Sequence, residues 1–248
     1  MTTLTALPEL KLNPDLDLDT LAAQYQRDEF VQIKGIFAEE TAKAISDLLR
    51  QTIPWHLIYV DPESGVVQLS REEANRLGPQ EMQRRMAGIM RLATRNIGYC
   101  YKGYQMSHAL REGRDTGHPV HEITKFLGSR AFLDFGEKVI GVTPLTQIDA
   151  QATFFDAGSF LTRHVDEGSQ NERRAAYTLS FCPNWQTDWG GLLQFIDRTT
   201  TDVTSAWVPR WNTLTIFNGR KVHAVSPVSA FAGDGRYSIV GWLRDDPL

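Results

Sequence analysis

The segment TQIDAQATFFDAGSFLTRHVDEG, residues 146–168, decides the fold. Apolar and polar side chains alternate with a period of two on either side of the turn residues DAGS, which is typical of short strands. Further segments of the same kind follow: AAYTLSF (175–181), LLQFID (192–197), TSAWV (204–208), NTLTIFN (212–218), KVHAV (221–225) and RYSIVGWL (236–243). So many short strands predict a β-sandwich or a jelly-roll barrel over residues 145–245.

The N-terminal half follows a different period. Helical spacing of apolar residues predicts a short helix capped by Asp17 or Asp19, and further helices over 39–51, 80–94 and 118–140. One strand-like segment, FVQIKGIF, occupies 30–37, and prolines and glycines interrupt any pattern over 54–79. The fold class expected is α+β, with N-terminal helices packed on one sheet. We expect one domain over 1–248, made of a helical part and insert at 15–144 and a barrel core at 145–245.

Composition and charge exclude several classes of protein. The 248 residues contain 30 acidic and 26 basic side chains, a net charge of −4, so no overall basic field favours nucleic acid or an anionic membrane. No apolar run is long enough to span a membrane, and the start, MTTLTALPELKLNP, lacks a basic region followed by an apolar core. We therefore expect a cytoplasmic protein. The two cysteines, Cys100 and Cys182, are expected to be buried thiols.

Three side chains form a candidate metal site. His164 and Asp166 are two residues apart after the strand-like FLTR, so they project to the same side of an extended backbone. His223 lies on another predicted strand, which a jelly roll can bring alongside. Two imidazoles and one carboxylate leave three positions of an octahedral ion open, as in non-haem Fe(II) oxygenases.

The last predicted strand carries a candidate anion site. By alternation Arg236 and Ser238 share one face of RYSIVGWL. If that face is the barrel interior, the buried guanidinium needs an anion, and a dicarboxylate matches its forked geometry. The alternative is an arginine at the surface, where the strand begins after the GDG turn.

The order of these motifs is more specific than any one of them. HVD, then RRAAYTLSFCPNWQTDWGGLLQF, then WNTLTIFNGRKVHAVSPV, then GRYSIVGWL resembles the Fe(II)- and 2-oxoglutarate-dependent dioxygenases of the prolyl-hydroxylase-like branch. Within that branch, the WGG turn, the segment before His223 and the final RYSxxGW are most similar to the ribosomal-protein prolyl hydroxylases. The resemblance is firm over 145–245, fainter at 30–50, and rests on no motif from 55 to 120.

The resemblance implies a double-stranded β-helix and a role for each candidate. His164, Asp166 and His223 would hold Fe(II), while Arg236 and Ser238 would bind the distal carboxylate of 2-oxoglutarate. O2 would be the second cosubstrate, ascorbate would support turnover, and succinate and CO2 would be released. Because related halogenases have Gly or Ala at the position of Asp166, the carboxylate here favours hydroxylation.

Two positions depart from the family pattern. Phe155 stands in FFDAG where many prolyl hydroxylases carry a tyrosine, and Ser180 stands where another tyrosine is common. Both tyrosines help to hold the cosubstrate in relatives, so the pocket is expected to be wider or to be completed by Tyr177 or Thr178. We include Ser180 with Arg236 and Ser238 as a candidate cosubstrate-binding residue.

Three further features allow alternative interpretations. His118, His121 and Glu122 in HPVHE could bind a metal, but Pro119 favours a loop or helix-capping role. NIGYCYKGYQM (96–106) is either a lid over the substrate or an irregular strand. Arg173 and Arg174 either hold an acidic group of the substrate or are solvated.

The expected activity is hydroxylation of an aliphatic C–H bond, with a prolyl residue of a protein or peptide as the first candidate substrate. A free amino acid or other small metabolite is the alternative within the enzyme class. A cupin-like metal-binding or sensing module without turnover is the alternative outside it, and a buried Arg236 beside the metal would argue against that module. The sequence leaves the oligomeric state open.

Overall fold

The structure is a computed structural model that describes residues 7–166, 168 and 172–246. The helices are α1 Leu18–Asp28, α2 Glu39–Gln51, α3 Arg71–Ala93, α4 Met106–Arg111, α5 Val120–Leu127 and α6 Arg130–Ile140. The strands of the N-terminal half are β1 Phe30–Lys34, β2 His56–Asp61, β3 Gly65–Ser70 and β4 Tyr99–Tyr104. Those of the C-terminal half are β5 Gln147–Ile148, β6 Gln151–Phe155, β7 Phe160–His164, β8 Arg173–Ser180, β9 Leu193–Ile196, β10 Val203–Trp207, β11 Thr213–Phe217, β12 His223–Val225 and β13 Arg236–Arg244.

The strands form one curled antiparallel sheet in the order β1-β11-β8-β13-β6-β4-β7-β12-β9-β10. One layer contains the strands β1, β11, β8, β13 and β6, and the facing layer contains β7, β12, β9 and β10. Strand β4 pairs with both β6 and β7, so it joins the two layers. This arrangement confirms the predicted double-stranded β-helix, and the space between the layers holds the site described below.

Helices α1, α2 and α4 to α6 pack on the outer face of the layer that contains β8 and β13, as predicted, whereas α3 packs on β2, β3 and β4. Ile45 and Leu49 of α2, with Phe132 of α6, are buried in one cluster with the outward-facing residues Leu179 of β8 and Ile239 of β13. The opposite residues of these strands face the barrel interior because side chains alternate along a strand. The helical layer therefore supports the strands that carry Arg236 and Ser238.

Local signals explain several helix boundaries. Asp17 accepts a hydrogen bond from the backbone N–H of Thr20 and caps α1, as expected. Ser70 and Glu73 form a capping box at the start of α3. Gly78 has the non-helical angles φ 77° and ψ 169°, so α3 consists of two helical segments that meet at a kink before Pro79. The second segment agrees with the helix predicted over 80–94, whereas the first, from Arg71, was not predicted.

The segment 54–79, whose pattern was uninformative, contains the hairpin β2–β3. Strand β2 also pairs with β4, so the hairpin extends the barrel sheet rather than forming a separate unit. The prediction of a largely helical region over 15–144 was therefore incomplete. Three strands of this region, β1, β2 and β4, are stabilised by pairing with segments that are distant in the sequence. Within the described residues, no helix is long and apolar enough to cross a membrane.

Candidate active site

Strand pairing brings the two candidate histidines together. His223 of β12 lies directly opposite His164 of β7 in the antiparallel register. Their ring centroids are 4.2 Å apart. Asp166 follows two residues after His164, and its carboxylate lies 3.6 Å from His164 Nε2 and 3.2 Å from His223 Nε2. The donor atoms of all three lie within 4.8 Å of one another, the one such cluster among the described His, Cys, Asp and Glu residues.

Backbone carbonyls orient both imidazoles. His164 Nδ1 is 2.9 Å from the carbonyl oxygen of Thr162, and His223 Nδ1 is 2.9 Å from that of Lys221. A carbonyl can only accept a hydrogen bond, so the proton of each neutral ring is assigned to Nδ1. The lone pair of each Nε2 then faces Asp166, which is the arrangement that metal-binding histidines adopt.

The carboxylate is held and kept ionised by its surroundings. The backbone N–H of Asp166 donates to the carbonyl of Gly219 at 2.7 Å, which fixes the turn after β7. Burial raises the pKa of Asp166, but the hydrogen bond and the positive charge that the imidazoles provide when they are protonated outweigh it, so the net pKa is lowered and the carboxylate is anionic even before a metal binds. Burial lowers the pKa of His164, and His223 lowers it further. An anionic carboxylate beside neutral imidazoles is the protonation state that a divalent metal requires.

Arg236 faces the barrel interior, as alternation predicted. Its side chain is 4% exposed, and it forms no hydrogen bond or ion pair with a described residue. Burial lowers the pKa of the guanidinium. Ser238, fully buried on the same face of β13, has a hydroxyl that also lacks a hydrogen-bond partner within the described structure. A buried cation beside a free hydroxyl donor forms a site for an anion.

The structure places Ser180 beside this pair. Ser180 lies opposite Ser238 in the register between β8 and β13 and is 4% exposed. Its hydroxyl donates to Cys182 Sγ at 3.9 Å, so it is less available than the hydroxyl of Ser238. The thiol of Cys182 is buried, as is that of Cys100, which agrees with the expectation for both cysteines.

Tyr101 is the aromatic residue that sequence reasoning did not assign to the site. It lies on β4, and its ring stacks on Phe155 at a centroid distance of 4.8 Å and an angle of 5°. Burial raises the pKa of Tyr101 to about 12, and Asp166 contributes to the rise. The hydroxyl of Tyr101 accepts a hydrogen bond from Gln151 Nε2 at 3.3 Å, and Tyr101 and Phe155 line the same cavity as Asp166. Tyr177 and Thr178, the two expected alternatives, also line the cavity, although the hydroxyl of Tyr177 donates to the carbonyl of Asp149. The segment NIGYCYKGYQM thus supplies a regular strand that also lines the site.

A cavity of about 570 Å³ connects these groups. Its described lining includes the three candidate metal ligands, Arg236, Tyr101, Arg173 and Trp242. Residues of β2, β3 and the segment before β4 also contribute, among them Gln68 and the exposed apolar side chains of Val66 and Ile97. The region from 55 to 120, which carried no recognised motif, therefore forms part of the cavity wall.

The histidines of HPVHE lie away from this cavity. His118 Nδ1 accepts from the N–H of Val120 at the start of α5, and its Nε2 is 3.2 Å from the carbonyl of Thr52. Glu122 forms an ion pair with Lys125. These contacts agree with the loop and capping role favoured for His118 and do not form a metal site.

Residues 150–244 match the sequence model of the 2OG-Fe(II) oxygenase superfamily. These residues form a 2OG-Fe(II) oxygenase domain. The oxygenase family and the His–Asp–His cluster together identify Fe(II) and 2-oxoglutarate as its cofactors. The unpartnered donors of Arg236, which lines the cavity with the cluster, and of Ser238, two residues further along the same face of β13, fit a dicarboxylate.

Similar proteins include prolyl hydroxylases. The mouse prolyl 3-hydroxylase OGFOD1 is 29% identical over 151 residues, which cover 58% of this chain and 27% of the mouse protein. The chain thus aligns with about a quarter of that relative.

Two solved structures share the fold. An oxidoreductase of the 2OG-Fe(II) oxygenase family from Burkholderia pseudomallei has a TM-score of 0.59 at 14% identity, covering 96% of this chain and 95% of that one. A Trichoplax adhaerens prolyl hydroxylase in complex with a hypoxia-inducible factor peptide has a TM-score of 0.56 at 16% identity, covering 92% and 89%.

Proposed function

We propose that this oxygenase hydroxylates an aliphatic C–H bond of a prolyl residue in a protein or peptide. The observation that carries the proposal is the single cavity that contains the His164, Asp166 and His223 cluster together with the unpartnered Arg236. With Fe(II) and 2-oxoglutarate bound, O2 would be the oxidant: one oxygen atom would enter the C–H bond as hydroxyl, and the other would enter succinate as 2-oxoglutarate loses CO2.

The chain's own residues hold and orient these groups. His164 Nε2, His223 Nε2 and one oxygen of Asp166 are the metal donors, and the carbonyls behind the imidazoles keep both rings in the required tautomer. Three donors on one side leave positions for cosubstrate and O2, unlike a closed structural site.

Arg236 and Ser238 bind the distal carboxylate of 2-oxoglutarate. Both lie on the interior face of β13, where they would hold the cosubstrate at the end remote from the metal. Phe155 lies beneath the guanidinium at 5.2 Å from its ring centroid and keeps water from that side. Burying an unpaired cation costs free energy, and a metal-binding module without a cosubstrate would gain nothing from it. The buried Arg236 therefore favours an enzyme over such a module.

The substrate class rests on the relatives and on the cavity rim. A mouse prolyl 3-hydroxylase and a peptide-bound prolyl hydroxylase from Trichoplax are among the similar proteins. The rim side chains Val66 and Ile97 are 62% and 50% exposed and provide apolar area at the cavity mouth. Exposed apolar area beside a cavity is typical of surfaces that bind peptides.

A free amino acid or small metabolite is the second candidate. Residues of the 55–120 region form part of the cavity wall, and a cavity enclosed in this way favours a small substrate. The two candidates differ in whether hydroxylation needs substrate contacts outside the cavity.

The test is succinate formation from 2-oxoglutarate in the presence of Fe(II) and ascorbate, together with a mass-spectrometric search for products heavier by one oxygen atom. Proline-containing peptides and free amino acids are compared as substrates. Modified peptides that share a proline support the proposal, and products confined to small molecules would replace it with the second candidate.

Asp166→Ala and Asp188→Ala form a matched pair for this assay. Asp188 is exposed on the loop after β8 and lies outside the described cavity lining. We expect Asp166→Ala to lose turnover because one metal donor is gone, while Asp188→Ala keeps it. Equal turnover by both variants and the unmodified chain would exclude the proposed metal centre.

A further inference from the structure

The proposed function leaves one cation of the cavity unexplained. Arg173, at the start of β8, lines the cavity and stacks on Trp242, with its guanidinium carbon 3.7 Å from the ring centroid. Its Nε is buried and has no hydrogen-bond partner within the described part of the chain. A stacked guanidinium of this kind is held in place by the ring and keeps its N–H groups for a ligand.

A β-bulge turns Arg173 toward the cavity. Leu243 of β13 pairs with Ala175, whereas Arg244 pairs with Arg173, so Arg174 is an extra residue on β8. Without the bulge, strict alternation from the cavity-lining Ala176 would place Arg174 on the interior face. Arg174 instead pairs with Asp245.

Trp242 connects Arg173 with the metal site. The indole contacts the guanidinium of Arg173, and Trp242 lines the same cavity as Asp166. Arg173 is therefore in the same cavity as the metal donors but at a different place from Arg236, which lies over Phe155.

The charges of the lining indicate what Arg173 binds. Asp166 is the one carboxylate in the described lining, against Arg163, Arg173 and Arg236, and Arg163 is exposed to solvent. Fe(II) with Asp166 carries one positive charge, and Arg236 adds a second. The two negative charges of 2-oxoglutarate balance these, so the charge of Arg173 remains in the loaded cavity.

We propose that Arg173 binds a carboxylate of the primary substrate and thereby selects substrates that carry an acidic group near the reacting carbon. This inference rests on the proposed hydroxylase function and adds its substrate class. The carboxylate comes either from an acidic residue that flanks the target proline in a peptide or from the carboxylate of a free amino acid.

Matched substrates separate these sources. Peptides with one central proline carry Glu or Gln at each flanking position in turn, and free amino acids are compared with their amides. Hydroxylation is measured by mass spectrometry, and binding to metal-free protein is measured by fluorescence anisotropy of the labelled peptides. We expect an acidic member of one series to be preferred by roughly tenfold, the effect of one hydrogen-bonded charge pair.

Arg173→Gln, Arg173→Lys and Arg174→Gln identify the residue responsible. Arg173→Gln should remove the preference, and Arg173→Lys should retain part of it, because charge without the planar fork binds carboxylate less well. Arg174→Gln, one residue away but paired with Asp245, should keep the full preference. Thermal melting verifies that each variant folds.

Two results would overturn the inference while leaving the hydroxylase function intact. One is hydroxylation with no difference between acidic and amide substrates. The other is a higher 2-oxoglutarate requirement in Arg173→Gln with unchanged selectivity, which would assign the guanidinium to the cosubstrate. If no peptide or amino acid is hydroxylated, the proposed function is contradicted. The inference about Arg173 is then tested by the anisotropy measurement alone, and it is rejected if Arg173→Gln binds acidic peptides with an unchanged preference.

Discussion

At the residue scale, the cavity and its surroundings contain buried polar groups that form no hydrogen bond with the described chain. Arg236 Nε, Arg173 Nε, Ser238 Oγ and the indole nitrogen of Trp242 all lack hydrogen-bond partners within it. Each such group costs free energy in the folded protein. Arg236, Arg173 and Trp242 line the cavity, and Ser238 lies two residues from Arg236 on the same face of β13, which indicates that binding, rather than folding, accounts for these side chains.

Arg236→Met is expected to stabilise the ligand-free protein by about 1 kcal/mol, because it replaces an unpartnered buried cation with an apolar side chain of similar length. The same variant should lose the rise in Tm that 2-oxoglutarate gives the metal-loaded protein. Differential scanning fluorimetry measures both effects. Arg244→Met is the control: Arg244 pairs with Asp149 and Asp246, so its loss should lower the Tm. A lower Tm in ligand-free Arg236→Met would show that the guanidinium stabilises the fold.

At the element scale, the connection into β13 positions Arg236. The WGG turn contacts this connection, since Gly190 bridges to Val228 and the N–H of Gly191 donates to the carbonyl of Pro227. Arg50 of α2 holds the other end through Asp234, two residues before Arg236. The site therefore depends on elements that do not themselves line it.

Gly190→Ala is expected to destabilise the protein by at least about 2 kcal/mol. Gly190 has φ 68° and ψ −144°, and an added Cβ would lie 2.1 Å from the carbonyl oxygen of Pro227. Urea unfolding gives the free energy. Gly113→Ala is the comparison, since Gly113 has φ 65° but no described atom within 4 Å of the added Cβ, and it should cost about 1 kcal/mol. Equal losses would mean that the contact with Pro227 relaxes without cost.

Asp234→Asn is expected to reduce stability by about 1 kcal/mol at pH 7. Arg50 donates to both oxygens of Asp234 at 2.8 Å. Burial raises the pKa of Asp234, but these bonds more than offset it, so the folded pKa is lowered. The contribution is thus fully present above the unfolded aspartate pKa, about 4, and is lost as pH falls through the lower folded value.

Urea unfolding at several pH values measures this effect as the difference between Asp234→Asn and the unmodified chain. That difference should shrink as the solution becomes acidic. Asp47→Asn, which breaks an exposed pair with Lys43, should cost less at every pH. A difference that is independent of pH would remove the ion pair as its cause.

At the scale of the whole molecule, both halves of the chain build one site. Strand β4 from the N-terminal half joins the two layers of the barrel, and Tyr101 on that strand stacks on Phe155 of β6. The N-terminal helices other than α3 cover the outer face of the layer that carries Arg236. Ligand binding in the cavity should therefore stabilise the entire fold.

Fe(II) and 2-oxoglutarate together, under anaerobic conditions, are expected to raise the Tm. At a hundredfold excess over Kd the gain is about 2.7 kcal/mol, or roughly 5 to 10 °C for a chain of this size. Removal of the metal with EDTA should reverse the shift, and Asp166→Ala should abolish it. A Tm that does not respond to the metal in the unmodified chain would contradict the metal centre.

The alternating pattern of the sequence was enough to predict the barrel strands, the shared face of His164 and Asp166 and the inward face of β13, because side chains two residues apart in a strand share a face. His223 reaches the same cluster through the pairing of β12 with β7, which was expected only from the fold and the family resemblance. That Arg173 rather than Arg174 faces the cavity, and that Tyr101 stacks on Phe155, could be read only from the folded chain. The hairpin β2–β3 belongs to the same group. A bulge and the pairing of β2 and β4 with distant strands depend on partners far along the chain, which no local periodicity encodes.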